Sequence, residues 1–242
     1  MSFPPKGFEV IQNGAWTFCA RPHALEDLRA AVMQPGPPDA ALDGGRGAVW
    51  TFESGGATVV LRRYRRGGLM QHLLHDRYLG NRPLAEFNVW HAAESAGLPV
   101  PALVGVAWLK RGLFYQGAIA TALVEAKPLL DLVNISGKNV DALGRECGHA
   151  IRRMHDAGIW HADLQVKNIL IHGAKALLID FDAAKQVDSM RRTQRWRNLY
   201  RLRRSCEKHG LPGGLFKAIC AGYGEPNGPH WLSFLYRLRR FF

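Results

Sequence analysis

Residues 161–182 read HADLQVKNILIHGAKALLIDFD, and the rest of the chain is arranged around them. Two runs of strand-like composition, Asn-Ile-Leu-Ile at 168–171 and Ala-Leu-Leu-Ile-Asp-Phe at 176–181, flank His-Gly-Ala-Lys, a short connection suited to a hairpin. A reversal there carries Asp163 and Asn168, at the entry, towards Asp180, near the exit. Three oxygen-bearing side chains at one mouth suit a hard cation such as Mg²⁺ and a hydroxyl about to lose its proton.

Asp and Asn are common in turns and caps, and each of the three taken singly reads that way. Asp180 is harder to explain so, because Leu-Leu-Ile precedes it and Phe follows. A carboxylate in a buried strand is costly without a partner such as a metal. The spacing also matches the H-x-D-x-x-x-x-N pattern followed by D-F that marks kinase catalytic segments.

A chain of 242 residues, 47% hydrophobic and 21% charged, is long enough for a substantial core in one domain or two small lobes, and it excludes disorder. A formal net charge of +12 points to an anionic partner: nucleic acid, nucleotide, phospholipid or another phosphorylated amphiphile. Cys19, Cys147, Cys206 and Cys220 form no C-x-x-C pair and no zinc spacing, so reduced thiols are expected. The opening MSFPPKGFEV has no apolar signal core, and the longest apolar run, Leu98 to Leu109, is too short to span a bilayer and contains Pro99 and Pro101. These features predict a cytosolic protein or one resting on a membrane surface.

Residues 1–40 read as an irregular segment with one short helix near His23–Met33. The cluster Gly44-Gly45-Arg46-Gly47 then enters a strand, Ala48–Phe52, and Ser54-Gly55-Gly56 turns into a second, Ala57–Tyr64. Glycine-loop hairpins can lay backbone N–H groups over phosphates because no Cβ blocks the approach, although most such clusters are plain turns. Apolar residues at Leu84, Phe87, Trp90 and Ala93 predict a helix over 84–96 stopped by Gly97. Glu86 on it is either a solvated acid or the partner of a strand cation. Strands follow at Leu103–Trp108 and Leu113–Val124. Glu125-Ala126-Lys127-Pro128 reads as a connector, dividing residues 1–124, a β-rich first lobe, from 125–242, a helical second lobe. Leu143, Cys147, Ala150, Ile151 and Met154 predict an amphipathic helix over 142–157.

The charge lies late in the chain. From Lys185 to Lys208 there are nine Lys or Arg against two acids, so this segment is basic on its own account. Trp196, Leu199, Leu202 and Cys206 form a helical apolar stripe, and Arg197, Arg201, Arg204 and Lys208 line another face. The C-terminus repeats the pattern, with Trp231, Phe234, Leu235, Leu238 and Phe242 among Arg237, Arg239 and Arg240. Either the stripes pack inward with arginines in water, or basic, aromatic-rich helices rest on an anionic membrane, each cation contributing about 1 kcal/mol.

GIWHADLQVKNIL followed by LLIDFDAAK resembles the lipopolysaccharide kinases of Gram-negative bacteria, a branch of the protein-kinase-like superfamily. GGRGAVWTF, VVLRRYRRGGLMQHLLHDRYLG and RPLAEFNVWHAAESAGLPVP extend the likeness over roughly residues 44–182, and point to the members that phosphorylate 3-deoxy-D-manno-octulosonic acid (Kdo). The resemblance implies an α+β, protein-kinase-like bilobal fold: a β-rich N-lobe, a mainly helical C-lobe, and the active site between them. It implies that Asp163 accepts or orients the proton of the attacking sugar hydroxyl. Asn168 and Asp180 would hold Mg²⁺ on the phosphates of ATP, covered by Gly45 and Gly47. Arg62 stands where kinases keep a strand lysine, with Arg63 as a possible substitute, and Glu86 would be its partner; an arginine fork is not a point charge.

Asp182 replaces the glycine of D-F-G and no A-P-E follows, so a small or lipid-linked acceptor fits better than a protein. The acceptor implied is the Kdo residue of Kdo-lipid IVA, phosphorylated at its 4-hydroxyl, in lipopolysaccharide core biosynthesis. The implied location is peripheral, on the cytoplasmic side of the bacterial inner membrane, held to its anionic surface by the basic C-terminal region, with no known protein partner. The catalytic stretch alone leaves other acceptors open: a core heptose, an aminoglycoside or ketosamine, or protein serine. A non-catalytic nucleic-acid-binding protein would suit the charge, but no nucleic-acid motif is present, so no nucleic-acid partner is expected. A nucleotide-binding pseudokinase is disfavoured because Asp163, Asn168 and Asp180 are all present.

Overall fold

The structure is a computed structural model that describes residues 3–34, 49–64, 78–112, 114–136 and 140–225. The glycine cluster with Gly45 and Gly47, and the aromatic-basic C-terminus from Trp231, lie outside the described residues. The chain divides into two compact units, Met1–Asn88 with Ala102–Leu123, and Val89–Pro101 with Val124–Phe242.

The first unit is an antiparallel sheet. Its strands are β1 (Glu9–Asn13), β2 (Trp16–Ala20), β3 (Val49–Ser54), β4 (Ala57–Arg63), β5 (Tyr78–Leu79), β6 (Leu103–Arg111) and β7 (Phe114–Ala122). They run in the order β1-β2-β6-β7-β4-β3, with β5 also on β7. Helix α1 (Leu25–Met33) covers one face, where Phe18, Leu28 and Leu61 are fully buried.

The expectation of an irregular N-terminus with one helix is corrected here, since β1 and β2 form a hairpin ahead of α1. Asn13 pairs with Trp16, leaving Gly14-Ala15 as the loop, and Gly14 has φ 59°. A glycine at the first position of a two-residue loop, between two β-forming runs, is the signal for this hairpin. Ser54 likewise pairs with Ala57 across Gly55-Gly56, whose φ values of 58° and 78° are the two left-handed positions of a type I′ turn.

Helix α2 (Arg82–Ser95) begins in the first unit and ends in the second, where Gly97 at φ 66° stops it. The second unit then holds α3 (Leu129–Ser136), α4 (Val140–Asp156), α5 (Arg192–Lys208) and α6 (Gly213–Tyr223). Among them lie a small sheet of β8 (Lys127–Pro128), β10 (Ile169–His172) and β11 (Lys175–Leu178), and a pair, β9 (Ile159–Trp160) with β12 (Lys185–Gln186). The Pro99-Val100-Pro101 segment belongs to this unit: Leu178 N–H donates to the Pro99 carbonyl at 2.9 Å, and Trp90 Nε1 to that of Pro101 at 2.9 Å.

The stripe Trp196, Leu199, Leu202 and Cys206 of α5 is buried within the second unit, so it packs inward and is not an insertion surface. All four cysteines are buried and free. Among the described residues no helix is long and apolar enough to cross a membrane.

Small residues set the contact of α4 with α6. A Cβ at Gly144 would lie 2.5 Å from that of Ala218, and one at Gly148 would land on the Ile219 carbonyl oxygen. By helix propensity alone Gly148→Ala would gain about 1 kcal/mol. The obstacle is backbone, which cannot swing aside, and overpacking costs about 1–3 kcal/mol. We therefore expect Gly148→Ala to lower the thermal unfolding midpoint; a midpoint equal to or above that of the parent would show that α6 gives way.

Candidate active site

The hairpin expected at 168–181 is present, but tighter and shorter than predicted. Strand β10 pairs with β11 from Ile169↔Leu178 to His172↔Lys175, so Gly173-Ala174 alone makes the loop, with Gly173 at φ 58°. The second strand ends at Leu178, and Asp180 is not inside it. Ile179 N–H still donates to the Asn168 carbonyl at 3.1 Å, after which Asp180 turns into the left-handed region at φ 63°. Asp tolerates that region better than most residues, and strain of this kind gathers at functional sites. Asn168 and Asp180 thus leave the hairpin side by side at one end.

Asp163 is tied to the same place. Asn168 Nδ2 donates to the Asp163 carbonyl at 2.8 Å, which leaves the amide Oδ1 as the remaining donor atom for a cation. Gln165 Nε2 donates to Asp163 Oδ2 at 2.5 Å, and Arg201 Nη1 lies 3.4 Å from Oδ1. His161 closes the group. Asp163 N–H donates to its Nδ1 at 3.2 Å, so Nε2 carries the proton and donates to the Ile179 carbonyl at 3.1 Å. Burial holds the His161 pKa below its ordinary value, which keeps the imidazole neutral and both bonds intact. Phe181, fully buried, packs on His161 with ring centroids 5.3 Å apart and meets Trp90 edge-on at 5.2 Å.

Below this lies a polar network that the sequence reading missed. Asn198 of α5 accepts from His161 N–H at 3.1 Å and donates to the His161 carbonyl at 2.9 Å. His155 Nε2 donates to Asn198 Oδ1 at 3.2 Å, and the Tyr223 hydroxyl donates to His155 Nδ1 at 2.9 Å. Arg195 Nη1 donates to Tyr223 at 3.5 Å and to Asp156 at 2.6 Å. Burial pushes the His155 pKa down to about 4, so it too is neutral. Seven residues beyond Asn198, Ser205 Oγ accepts from Val166 N–H at 3.2 Å. Two polar residues spaced at two helical turns within the buried part of α5 were the available signal.

In the first unit, strand alternation decides between the two arginines. Arg62 faces Glu86, its Nη2 lying 2.5 and 2.6 Å from the two carboxylate oxygens, and the Tyr64 hydroxyl also donates to Glu86. Glu86 is buried at 1% exposure and is not a solvated acid. Arg63 points the other way, donating to the carbonyls of Val32 and Gln34 and lying over the Trp50 ring.

Among the described residues no cluster of three or more His, Cys, Asp or Glu is suited to a metal ion. An Asp–Asn pair that shares its ion with phosphates is not such a cluster. The hard oxygens of Asp180 and Asn168 fit Mg²⁺, which is usually bound by one or two carboxylates plus substrate phosphates.

A sheet-bearing unit with a buried Arg–Glu pair and a helical unit carrying H-x-D-x(4)-N and D-F-D define a kinase-like phosphotransferase. The chain belongs to the lipopolysaccharide kinase (Kdo/WaaP) family, whose model matches residues 41–223. It is 36% identical over 209 residues to the 3-deoxy-D-manno-octulosonic acid kinase of Xylella fastidiosa strain 9a5c, covering 83% of each chain. With the enzyme of that name from Stenotrophomonas maltophilia strain K279a it shares 38% identity over 173 residues, 69% of this chain and 68% of the relative. A solved structure described as WaaP in complex with acyl carrier protein superposes with a TM-score of 0.59 at 17% identity, covering 82% of both chains; at that identity the likeness shows the fold alone.

Two outcomes are expected. Because the folded pKa of His155, about 4, lies below its ordinary 6.5, the unfolded chain binds more protons between those values. Stability is therefore retained above pH 6.5 and falls as pH drops through the window, by about 3 kcal/mol from this group alone. Urea unfolding at pH 7.5 and 4.5 measures it, and His155→Gln should reduce the acid loss; an unchanged acid dependence would refute the assignment. Arg62→Met should cost about 3–5 kcal/mol by stranding the buried Glu86 charge, read as a lowered thermal midpoint.

Proposed function

We propose that this chain transfers the γ-phosphoryl group of ATP to the 4-hydroxyl of the Kdo residue of Kdo-lipid IVA, in lipopolysaccharide biosynthesis. The observation that carries it is the joining of Asp163, Asn168 and the Ile179–Asp180 backbone through His161 in a chain whose relatives are Kdo kinases. Neither the nucleic-acid-binding reading nor a different kinase acceptor gains support from those relatives.

Asp163 is the base in this reading. Gln165 occupies Oδ2 and fixes the carboxylate plane, so Oδ1 is the atom that takes up or orients the hydroxyl proton. Asn168 Oδ1 and the Asp180 carboxylate would hold Mg²⁺, which when bound neutralises phosphate charge. Arg62, held by Glu86, stands at the sequence position of the strand cation of kinases. The demand on these residues is placement and charge, since phosphoryl transfer asks for little covalent help. Location at the anionic inner leaflet is part of the same proposal. It is supported by the net charge of +12 and by Arg197, Arg204 and Lys208, exposed on one helix, α5.

The test is transfer of labelled γ-phosphate from ATP to Kdo-lipid IVA beside a heptose-core acceptor, an aminoglycoside, a ketosamine and a serine peptide. Label in the Kdo lipid alone supports the proposal; label only in another acceptor refutes it. Asp163→Asn should lower kcat by about 10²–10⁴-fold while Mg-ATP still binds.

A further inference from the structure

Arg201 differs from three other arginines of α5. Arg192 is paired with Glu225, Arg195 with Asp156, and Arg203 with Glu207. The one polar contact of Arg201 among the described residues is the 3.4 Å approach to Asp163 Oδ1, with both side chains about half exposed, at 51% and 49%. An exposed pair at that distance is held weakly and is easily exchanged. The backbone beneath it is not loose. Asn198, three residues before, is bonded to both backbone groups of His161, and Ser205, four residues after, accepts from Val166. The helix is thus pinned to the catalytic loop on either side of Arg201, while its guanidinium reaches over the oxygen that the acceptor hydroxyl must meet.

We infer that Arg201 binds the carboxylate of the acceptor sugar and is thereby a specificity-determining residue, its pairing with Asp163 being the resting position that the acceptor displaces. The inference rests on the Kdo reading above. An acceptor that brings a carboxylate next to an aspartate base meets like-charge repulsion, and a cation between the two removes it. The guanidinium fork matches a carboxylate in two parallel hydrogen bonds. The exchange also frees Oδ1 for the hydroxyl. A second anion source exists in the lipid phosphates, but these lie on other sugars. The carboxylate is on the same ring as the reacting hydroxyl, as Arg201 is beside Asp163.

The test compares kcat/KM for three acceptors: the Kdo lipid, its Kdo methyl ester, and the Kdo lipid stripped of its phosphates. Arg201 is half exposed, so Arg201→Gln is expected to melt with the parent. The parent should prefer the acid over the ester by about 10- to 100-fold, the range of a charged hydrogen bond. Arg201→Gln should abolish that preference, and Arg201→Lys, a point charge without the fork, should keep part of it. Equal slowing of acid and ester in Arg201→Gln overturns the inference and leaves the Kdo reading standing. Loss instead of the preference for the phosphorylated lipid overturns it in favour of a phosphate site. Failure of the parent to phosphorylate any Kdo acceptor overturns both.

Discussion

The uncharged imidazole of His161 holds the site together. One ring nitrogen accepts from the backbone of Asp163 and the other donates to the backbone of Ile179, so a single side chain sets the spacing between two segments that end in carboxylates. It can do this only in one tautomer and only unprotonated, which is why its burial matters. Asn198 then fixes the backbone of His161 through both its amide groups, and His155 and Tyr223 fix Asn198. A buried chain of this sort is stable only when every member is satisfied, so each link depends on the next.

Most of the secondary structure could be read directly, because the glycines and the apolar spacing are strong local signals. Gly55-Gly56, Gly97 and Gly158 all have positive φ where a turn or helix end was expected. The N-terminal hairpin is signalled only by Gly14, a single loop glycine between two short β-forming runs. The strand carrying Asp180 was read too long because composition cannot register a change of backbone sign at one residue. Glu86 could not be assigned as buried or solvated from its helix alone, since the partner, Arg62, lies on a strand 24 residues earlier. Strand alternation, invisible until the register is known, separated it from Arg63. Asn198 and Ser205 were hidden in a run dominated by arginine, where their polarity seemed ordinary.

Helix α5 shows how one element answers two demands. Its apolar residues and two polar ones face inward and support the loop of His161 and Asp163, while its cations divide between ion pairs and solvent. The basic charge read from the sequence is therefore not one surface. Part is spent on structural pairs with Asp156, Glu207 and Glu225, and part is exposed at Arg197 and Lys208. The membrane attraction proposed above would, on this division, be electrostatic and salt-sensitive.

The cysteines carry a practical corollary. Burial pushes the thiols of Cys19, Cys147 and Cys206 up to about 12 and that of Cys220 to about 11. Since the thiolate is the reactive species, alkylating reagents find almost none of it in the native chain at neutral pH. Cys19 reports on the sheet-bearing unit and the other three on the helical one. Timed alkylation followed by mass mapping would then act as a pair of built-in clocks, each recording when its own unit opens.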